Sequence, residues 1–173
     1  MPKKAITPET RDQIIKLLND GVPGALQEWH EAYGELTLSI DPTQIREVCL
    51  LLRNDRGLRF DFLSDLTAVD YLGREPRFIV VYHLFSTLEH HRIRLRAPAL
   101  GDPPAIETVS DIWLGANWHE RECWDLLGVV FQGHPDLRRI MLPPEWQGHP
   151  LRKDYETTEG EAYDYLSKSL ADE

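Results

Sequence analysis

The tripeptide Gly-His-Pro occurs twice in this chain, at residues 133–135 and 148–150, and each copy leads into a basic pair. The basic pairs are Arg138-Arg139 and Arg152-Lys153. Histidines are common metal ligands, and arginine and lysine bind anions and carboxylates. The repeated pattern therefore suggests three kinds of site: a metal centre, an anion site, or a segment that attaches the chain to another protein.

His119 and Cys123 add two further metal-binding side chains in the stretch His-Glu-Arg-Glu-Cys. Residues at i and i+4 share a helix face, as in the zinc-protease motif, but a cysteine stands where that motif has its second histidine. A structural zinc site formed by His119, Cys123, His134 and His149 stays open as an alternative, although the spacing matches no compact zinc motif. The simpler interpretation makes each Gly-His-Pro a turn whose imidazole bonds backbone carbonyl groups.

Other catalytic and cofactor patterns are missing from the sequence. It contains no Gly-x-Ser-x-Gly elbow and no glycine-rich loop after a predicted strand, so neither a hydrolase nucleophile nor a nucleotide fingerprint is indicated. Two cysteines cannot supply the four thiolates of an iron–sulfur cluster. We therefore predict no catalytic residue, no cofactor site and no metal ligand in this chain.

Composition limits the possible partners. The 173 residues are 42% hydrophobic with a formal net charge of -10, which predicts one domain with a real core and argues against nucleic-acid binding. No apolar run approaches the roughly 20 residues that a membrane-spanning helix needs. The first residues lack the apolar core of a signal peptide. We expect a reduced intracellular protein with no direct membrane span.

Hydrophobic periodicity predicts an α+β fold, a two-layer domain with helices packed on a mainly antiparallel sheet. In the last predicted strand Arg92, Arg94 and Arg96 alternate with apolar residues, so these arginines should face solvent or a partner. His90 and His91 are expected on the same strand, pointing to opposite faces. The predicted helices are residues 8–21, 42–54 and about 110–127, and the predicted strands are 36–40, 60–71, 77–85 and 90–97.

Residues 133–155 differ in composition from the rest of the chain, with four prolines and two glycines that exclude a regular helix or a central strand. Their apolar side chains must be buried against something else, which suggests an extended arm. The last 18 residues carry six acids and one lysine, as a solvated acidic tail does. We predict an α+β domain over residues 1–131, an extended docking arm over 132–155 and an acidic tail over 156–173.

Charged residues of both signs mix with tryptophans in the third helix and the arm, a composition typical of protein interfaces. The arginines are expected to pair with a partner's carboxylates, or internally with Glu120 and Glu122, which would fix the direction in which the arm leaves the domain. The candidate interface residues are Glu120, Arg121, Glu122, Asp125, His134, Asp136, Arg138, Arg139, Trp146, His149, Arg152 and Lys153.

Three segments together resemble one known family. They are WHERECWDLLG at 118–128 with HPDLRRI at 134–140, GHPLRKDY at 148–155, and SDLTAVDY at 64–71. These signature segments resemble the 30 kDa subunit family of respiratory complex I, known in bacteria as the C subunit of NADH-quinone oxidoreductase. The resemblance extends over about residues 8–155 and rests on long motifs.

The resemblance implies a cofactor-free structural subunit of the peripheral arm of complex I, packed on the 49 kDa quinone-site subunit and near iron–sulfur subunits. Flavin and iron–sulfur clusters are then expected in the partner subunits, and the assembly carries electrons from NADH to quinone while translocating protons. The chain would be held peripherally on the cytoplasmic side of the bacterial inner membrane. The alternatives are an equivalent subunit of a membrane-bound hydrogenase or formate hydrogenlyase, or an independent zinc-binding protein.

Overall fold

The computed structural model describes residues 6–156, which form three α-helices and seven strands. The predicted acidic tail from residue 157 onward lies outside the described residues. A short 3-10 helix, Pro42–Gln44, precedes the second α-helix. The helices are α1 Pro8–Gly21, α2 Ile45–Asn54 and α3 Ala116–Leu127. The strands are β1 Leu26–Ala32, β2 Glu35–Ile40, β3 Phe62–Asp70, β4 Phe78–Phe85, β5 Arg92–Ala99, β6 Ala105–Glu107 and β7 Val130–Gln132.

Five strands form the main sheet in the order β1-β2-β5-β4-β3. All neighbours in it are antiparallel except β2 and β5, which run parallel because the chain returns to β2 only after α2 and the β3–β4 hairpin. A small second sheet pairs β6 with β7 in parallel. The predicted α+β class with a mainly antiparallel sheet is confirmed.

Local sequence explains the first two helices. The Thr7 side chain accepts a hydrogen bond from the Thr10 amide and Pro8 occupies the first helical position, so α1 begins where the sequence predicts. In α2 the buried residues are Ile45, Val48, Cys49 and Leu52, at i, i+3, i+4 and i+7. Cys49 is a core residue.

The helices pack on one face of the sheet only. Along β5 the residues Ile93 and Leu95 are buried in the core, while the alternating arginines lie on the opposite face. Tyr82 of β4 points to the side of the sheet that the helices cover, near Cys49 of α2 and Glu120 of α3. We call the sheet face that carries the arginines the outer face.

Three predictions about the elements were wrong. The third helix begins at Ala116 and not near residue 110, because Thr108 and Ser110 use their hydroxyls in a hydrogen-bonded turn. Strand β1 was not predicted, since its side chains past Leu26 are exposed and show no alternation. His90, with a φ of 59°, and His91 both precede β5, which begins at Arg92, so neither histidine lies on the strand.

Residues 133–155 contain turns and bends without helix or strand, as the prolines predict. Among the described residues no helix is long and apolar enough to cross a membrane. We call residues 133–155 the arm.

The Tyr82 hydroxyl tests the packing of the core. It is fully buried, and no residue among 6–156 offers it a hydrogen bond. Because an unpaired buried hydroxyl is destabilising, we expect Tyr82→Phe to raise the free energy of unfolding by about 1 kcal/mol, measured by urea denaturation. Tyr71→Phe is the control, since the Tyr71 hydroxyl is the acceptor for Arg96 at 3.5 Å near the surface and its loss should change little. Destabilisation by Tyr82→Phe would mean that the hydroxyl has a partner.

Candidate functional site

Asp125, in the last turn of α3, organises the arm. Its carboxylate is completely buried, and Oδ2 accepts hydrogen bonds from three successive backbone amides: Ile140 at 2.9 Å, Met141 at 2.8 Å and Leu142 at 3.0 Å. Consecutive amides that converge on one anion form a concave nest for it. The arm therefore bends around this carboxylate.

Arg139 completes the shell around Asp125 and ties two parts of the arm together. Its Nη1 donates to Asp125 Oδ1 at 2.5 Å, and its Nη2 donates to the carbonyls of Trp146 at 2.8 Å and Gly148 at 3.0 Å. The guanidinium also lies 5.7 Å from the ring centre of Trp124. One arginine thus joins α3 to both halves of the arm.

The protonation state of Asp125 follows from these contacts. Burial alone would raise the pKa, but the hydrogen bonds from Met141, Arg139 and the neighbouring amides outweigh it and lower the pKa of Asp125. The carboxylate is therefore ionised at neutral pH, and the arm is held by charge-assisted hydrogen bonds.

Arg121 supports the arm one helical turn earlier. It is buried, its Nε donates to the Arg138 carbonyl at 3.1 Å, and its Nη2 donates to the Arg139 carbonyl at 3.4 Å. Its guanidinium lies 5.1 Å from the ring centre of Trp118. Arg121 therefore bonds backbone carbonyls of its own chain and is itself almost completely buried.

The second Gly-His-Pro closes the carboxyl end of α3. His149 Nδ1 lies 2.9 Å from the Asp125 carbonyl, so Nδ1 carries the hydrogen, and Arg152 Nε donates to the Leu127 carbonyl at 2.7 Å. Gly128 has a φ of 74°, and a Cβ there would lie 2.2 Å from Arg152 Nη2 and 2.7 Å from His149 Nε2. Both the left-handed backbone and the close approach of the arm require glycine at this position.

The first Gly-His-Pro is also a turn. His134 Nδ1 accepts from the Asp136 amide at 3.0 Å, so Nε2 carries the hydrogen and donates to the Asn117 carbonyl at 3.3 Å. Burial lowers the pKa of His134 and of His149. The interpretation of both copies as turns whose imidazoles bond backbone carbonyls is confirmed.

Glu120 is buried in a second polar cluster of α3. Its Oε1 accepts from the Val109 amide at 2.8 Å, and its Oε2 lies within hydrogen-bonding distance of the Thr108 hydroxyl, which is 2.9 Å from Ser110 Oγ. Burial raises the pKa of Glu120 to about 7, more than the hydrogen bonds from Thr108 and Val109 lower it. Glu120 thus anchors the turn that precedes α3.

Asp70 and Arg77 hold the end of the arm, and sequence reasoning missed this role. Arg77 donates to Asp70 Oδ1 at 2.8 Å through Nε and to Asp154 Oδ1 at 2.6 Å through Nη2, while the Lys153 amide donates to Asp70 Oδ2 at 2.9 Å. Hydrogen bonds from Arg77 lower the pKa of Asp70 despite its burial. The sequence did contain a signal for this ion pair, because Asp70 at the end of β3 and Arg77 just before β4 carry opposite charges on the two sides of the hairpin turn.

The candidate interface residues divide into three groups by exposure, and the division corrects the sequence-based expectation. Buried side chains cannot meet a partner directly, so Glu120, Arg121 and Asp125 are not surface residues. Arg139 of the arm forms its internal ion pair with Asp125, and not with Glu120 or Glu122. Partly buried are His134, Arg139, Trp146, His149 and Arg152, and exposed are Glu122, Asp136, Arg138 and Lys153.

The structure does not bring the four residues of the zinc hypothesis together. His119 lies 3.7 Å from Asp65, whereas Cys123 is buried with its sulfur 3.9 Å from the Leu66 carbonyl. Burial also raises the pKa of the Cys123 thiol to about 12. Within residues 6–156 no three histidine, cysteine or acidic side chains are grouped so as to hold a metal ion.

Comparison with known proteins agrees with the signature segments. The family described as "Respiratory-chain NADH dehydrogenase, 30 Kd subunit" matches residues 38–161. The C subunit of NADH-quinone oxidoreductase from Roseiflexus castenholzii is 47% identical over 141 residues, covering 82% of this chain and 81% of the relative. Its counterpart of the same name from Geotalea uraniireducens is 44% identical over 147 residues, covering 85% and 88%.

Two solved structures share the fold. One, named as the trypsin-resistant fragment (1-134) of Nqo5, has a TM-score of 0.60 and 30% identity, and the match covers 72% of this chain and 99% of the fragment. The other belongs to the membrane-bound sulfane sulfur reductase, an archaeal respiratory membrane complex, with a TM-score of 0.70 at 22% identity, covering 94% of this chain and 92% of that one. The second likeness concerns the fold alone.

Replacing the Asp125 carboxylate should release the arm. Asp125→Asn cannot neutralise Arg139 and loses acceptor capacity for the three amides, so we expect the free energy of unfolding to fall by about 3–5 kcal/mol. Hydrogen exchange at the amides of residues 140–142 should accelerate at the same time. Asp136→Asn is the control, because the ion pair of Asp136 with Arg138 is largely exposed and should contribute less than about 1 kcal/mol. Equal effects of the two variants would contradict the central role of Asp125.

Glu120 predicts a specific pH dependence. The pKa of Glu120 rises from 4.5 to about 7 on folding, so its ionisation opposes the folded state. As the pH increases through this range, the free energy of unfolding of the wild type should therefore fall relative to that of Glu120→Gln. The shift corresponds to roughly 3 kcal/mol in the difference between the two unfolding free energies. Urea denaturation at several pH values measures it, with exposed Glu122→Gln as the control. Parallel profiles for wild type and Glu120→Gln would show that Glu120 has an ordinary pKa.

Proposed function

This chain belongs to the 30 kDa subunit family of respiratory-chain NADH dehydrogenase, and from that premise we propose that it is a docking subunit without catalytic residues or cofactors of its own. It packs on the 49 kDa quinone-site subunit in the peripheral arm of a proton-translocating NADH:quinone oxidoreductase. Flavin and iron–sulfur clusters belong to neighbouring subunits in this proposal, and the assembly is held on the cytoplasmic side of the bacterial inner membrane.

One observation carries the proposal: the buried and half-buried charged side chains and histidines of the signature segments bond their own chain. Asp125, Arg139, His149 and Arg152 hold the arm against α3, and Arg121 bonds carbonyls of the arm. Groups engaged in this way are fixed in place and are not presented to a substrate. They shape and stiffen a surface, as a docking subunit requires.

The outward side of the arm has the composition of a contact surface. Met141 and Leu151 are 61% and 59% exposed, and Trp118 beside the arm is 62% exposed. Arg138 and Lys153 are exposed close to them in sequence. Apolar side chains next to cations favour protein interfaces, and this supports the outward side of the arm as the contact with the 49 kDa subunit.

The names of the relatives favour this assembly over the related ones. Proteins 43–47% identical to this chain are named as the C subunit of NADH-quinone oxidoreductase. A subunit of a membrane-bound hydrogenase or formate hydrogenlyase is therefore the weaker proposal.

A separable domain and arm are part of the proposal. Strand β7 ends at Gln132, which supports a boundary between domain and arm one residue after the predicted 131. The matching Nqo5 fragment is named as trypsin-resistant and is covered almost completely by this match, which supports a domain that folds without the arm.

Variants on the outward side of the arm test the docking. Met141→Asp combined with Leu151→Asp should leave the fold intact but weaken binding to the 49 kDa subunit at least thirtyfold, because charges replace apolar anchors worth about 2 kcal/mol. Co-purification of the tagged chain with that subunit, followed by titration of the isolated pair, measures the loss.

Leu88→Asp is the matched control, since Leu88 is 58% exposed in the β4–β5 turn. Unchanged binding by the double variant would contradict docking through the arm. Stoichiometric zinc, flavin or iron in the purified chain would contradict the proposal that it carries no cofactor.

A further inference from the structure

The outer face of the sheet is open in the part of the chain that the structure describes. Helices α1, α2 and α3 and the arm pack on the opposite face, where Tyr82 and Leu95 are buried. Strands β3, β4 and β5 contribute Thr67, Val81 and Arg96 to the outer face, in one row across the sheet. A two-layer fold leaves such a face available to a partner.

Three arginines form a stripe along the centre of this face, because alternate residues of β5 point to the same side. Arg94 pairs with Glu35, but Arg92 and Arg96 have no ion pair with any residue in 6–156. Within residues 6–156, Arg96 forms a side-chain hydrogen bond only with the Tyr71 hydroxyl, at 3.5 Å, and the Nε of Arg92 is shielded from water and has no acceptor. In a chain with a net charge of -10, these cations lack the carboxylates that other arginines find.

Apolar side chains stand at both ends of the stripe. Phe85 lies directly opposite Arg92 in the sheet register, and Phe62, which is exposed, lies opposite Phe85. At the other end a cleft of about 370 Å³ adjoins Arg96, with walls formed by prolines, isoleucines and a few polar residues: Gln27, Ser39, Ile40, Asp41, Pro42, Pro76, Ile79 and Pro98. Arginine beside aromatic and apolar groups is the composition of an interface core.

Apart from Glu35, which pairs with Arg94, the carboxylates of this face lie toward its margins. Glu28 of β1 is opposite Ser39, two strands from Arg96, and Asp65 of the edge strand β3 is opposite His83, with its carboxylate 3.7 Å from His119. A cationic centre with an acidic rim selects the orientation of an acidic ligand. It also disfavours a second copy of this chain, since a two-fold contact would place the stripe against itself.

We propose that the outer face, from Arg92 to the cleft at Arg96, binds an extended acidic segment of a partner subunit. This inference rests on the proposed function, because it requires an assembly in which a second subunit reaches this face. Arg92 and Arg96 are four residues apart on a strand, about 13 Å. The segment therefore carries two carboxylates about four residues apart, and one of its apolar side chains fills the cleft.

Photo-cross-linking in the intact assembly tests this. p-Benzoylphenylalanine replaces exposed Thr67, which lies on the edge strand β3 in the same row as Arg96, or Lys16 on the distant side of α1 as the control, in the tagged full chain expressed in its own cells. After irradiation of the purified assembly, mass spectrometry identifies the linked peptide. We expect position 67 to link to a partner peptide with at least two acidic residues, and position 16 to give a different product or none.

Charge variants provide the second measurement. In the cross-linking background, Arg92→Gln with Arg96→Gln should reduce the yield at position 67 about tenfold, because two charge-assisted contacts are lost. Arg53→Gln with Arg56→Gln, at the carboxyl end of α2, should leave it unchanged.

Failure of this inference can be told apart from failure of the proposed function. A chain that co-purifies with respiratory subunits but forms no partner link at position 67, or links there only to its own residues 157–173 or to a second copy, would overturn the inference alone. An unchanged yield in the Arg92 and Arg96 double variant would overturn it as well. A chain that co-purifies with no respiratory subunit would overturn both proposals.

Discussion

The buried, ionised carboxylate of Asp125 is the constraint on which the rest of the arm depends. The arm contains four prolines, which lack amide donors, so its remaining amides cannot be satisfied in a regular helix or strand. Three of its remaining amides converge on Asp125, and Arg139 neutralises the charge while bonding two more carbonyls of the arm. A segment without regular secondary structure is thereby given one conformation, because a buried charge stays stable only with all of these partners in place.

Helix α3 contains two buried carboxylates that behave in opposite ways. Asp125 receives three amides and an arginine, and its pKa falls. Glu120, more than one turn earlier, receives one amide and a hydroxyl, and burial raises its pKa to about 7. The number and charge of the donors decide the outcome, since both groups lose their contact with water. The helix thus fixes the arm through an ionised group, and it fixes the preceding turn through a group that prefers to be neutral near pH 7.

Elements with a buried stripe could be predicted from the sequence, and those without one could not. The period of α2 and the alternation of β5 reflect one buried face each, so both were found. Strand β1 is an exposed edge and has no such pattern, and β6 and β7 are only three residues long. For the site, the family resemblance identified the signature residues, but not whether each side chain points into the domain or toward a partner. The partners of Asp125 lie 14 or more residues away, and no local pattern separates a carboxylate bound inward from one on a solvated or partner-facing helix.

The position of the arm has a consequence for how this chain fits into an assembly. The arm and all three helices lie on one side of the main sheet, and the arginine stripe of β5 lies on the other. The outward side of the arm and the outer face of the sheet therefore point in different directions, separated by the core. One small partner surface cannot cover both, so the two proposed contacts would involve different partners, or a partner that extends around the edge of the sheet. In the proposed docking role, a rigid domain between two contacts would fix their spacing within the assembly.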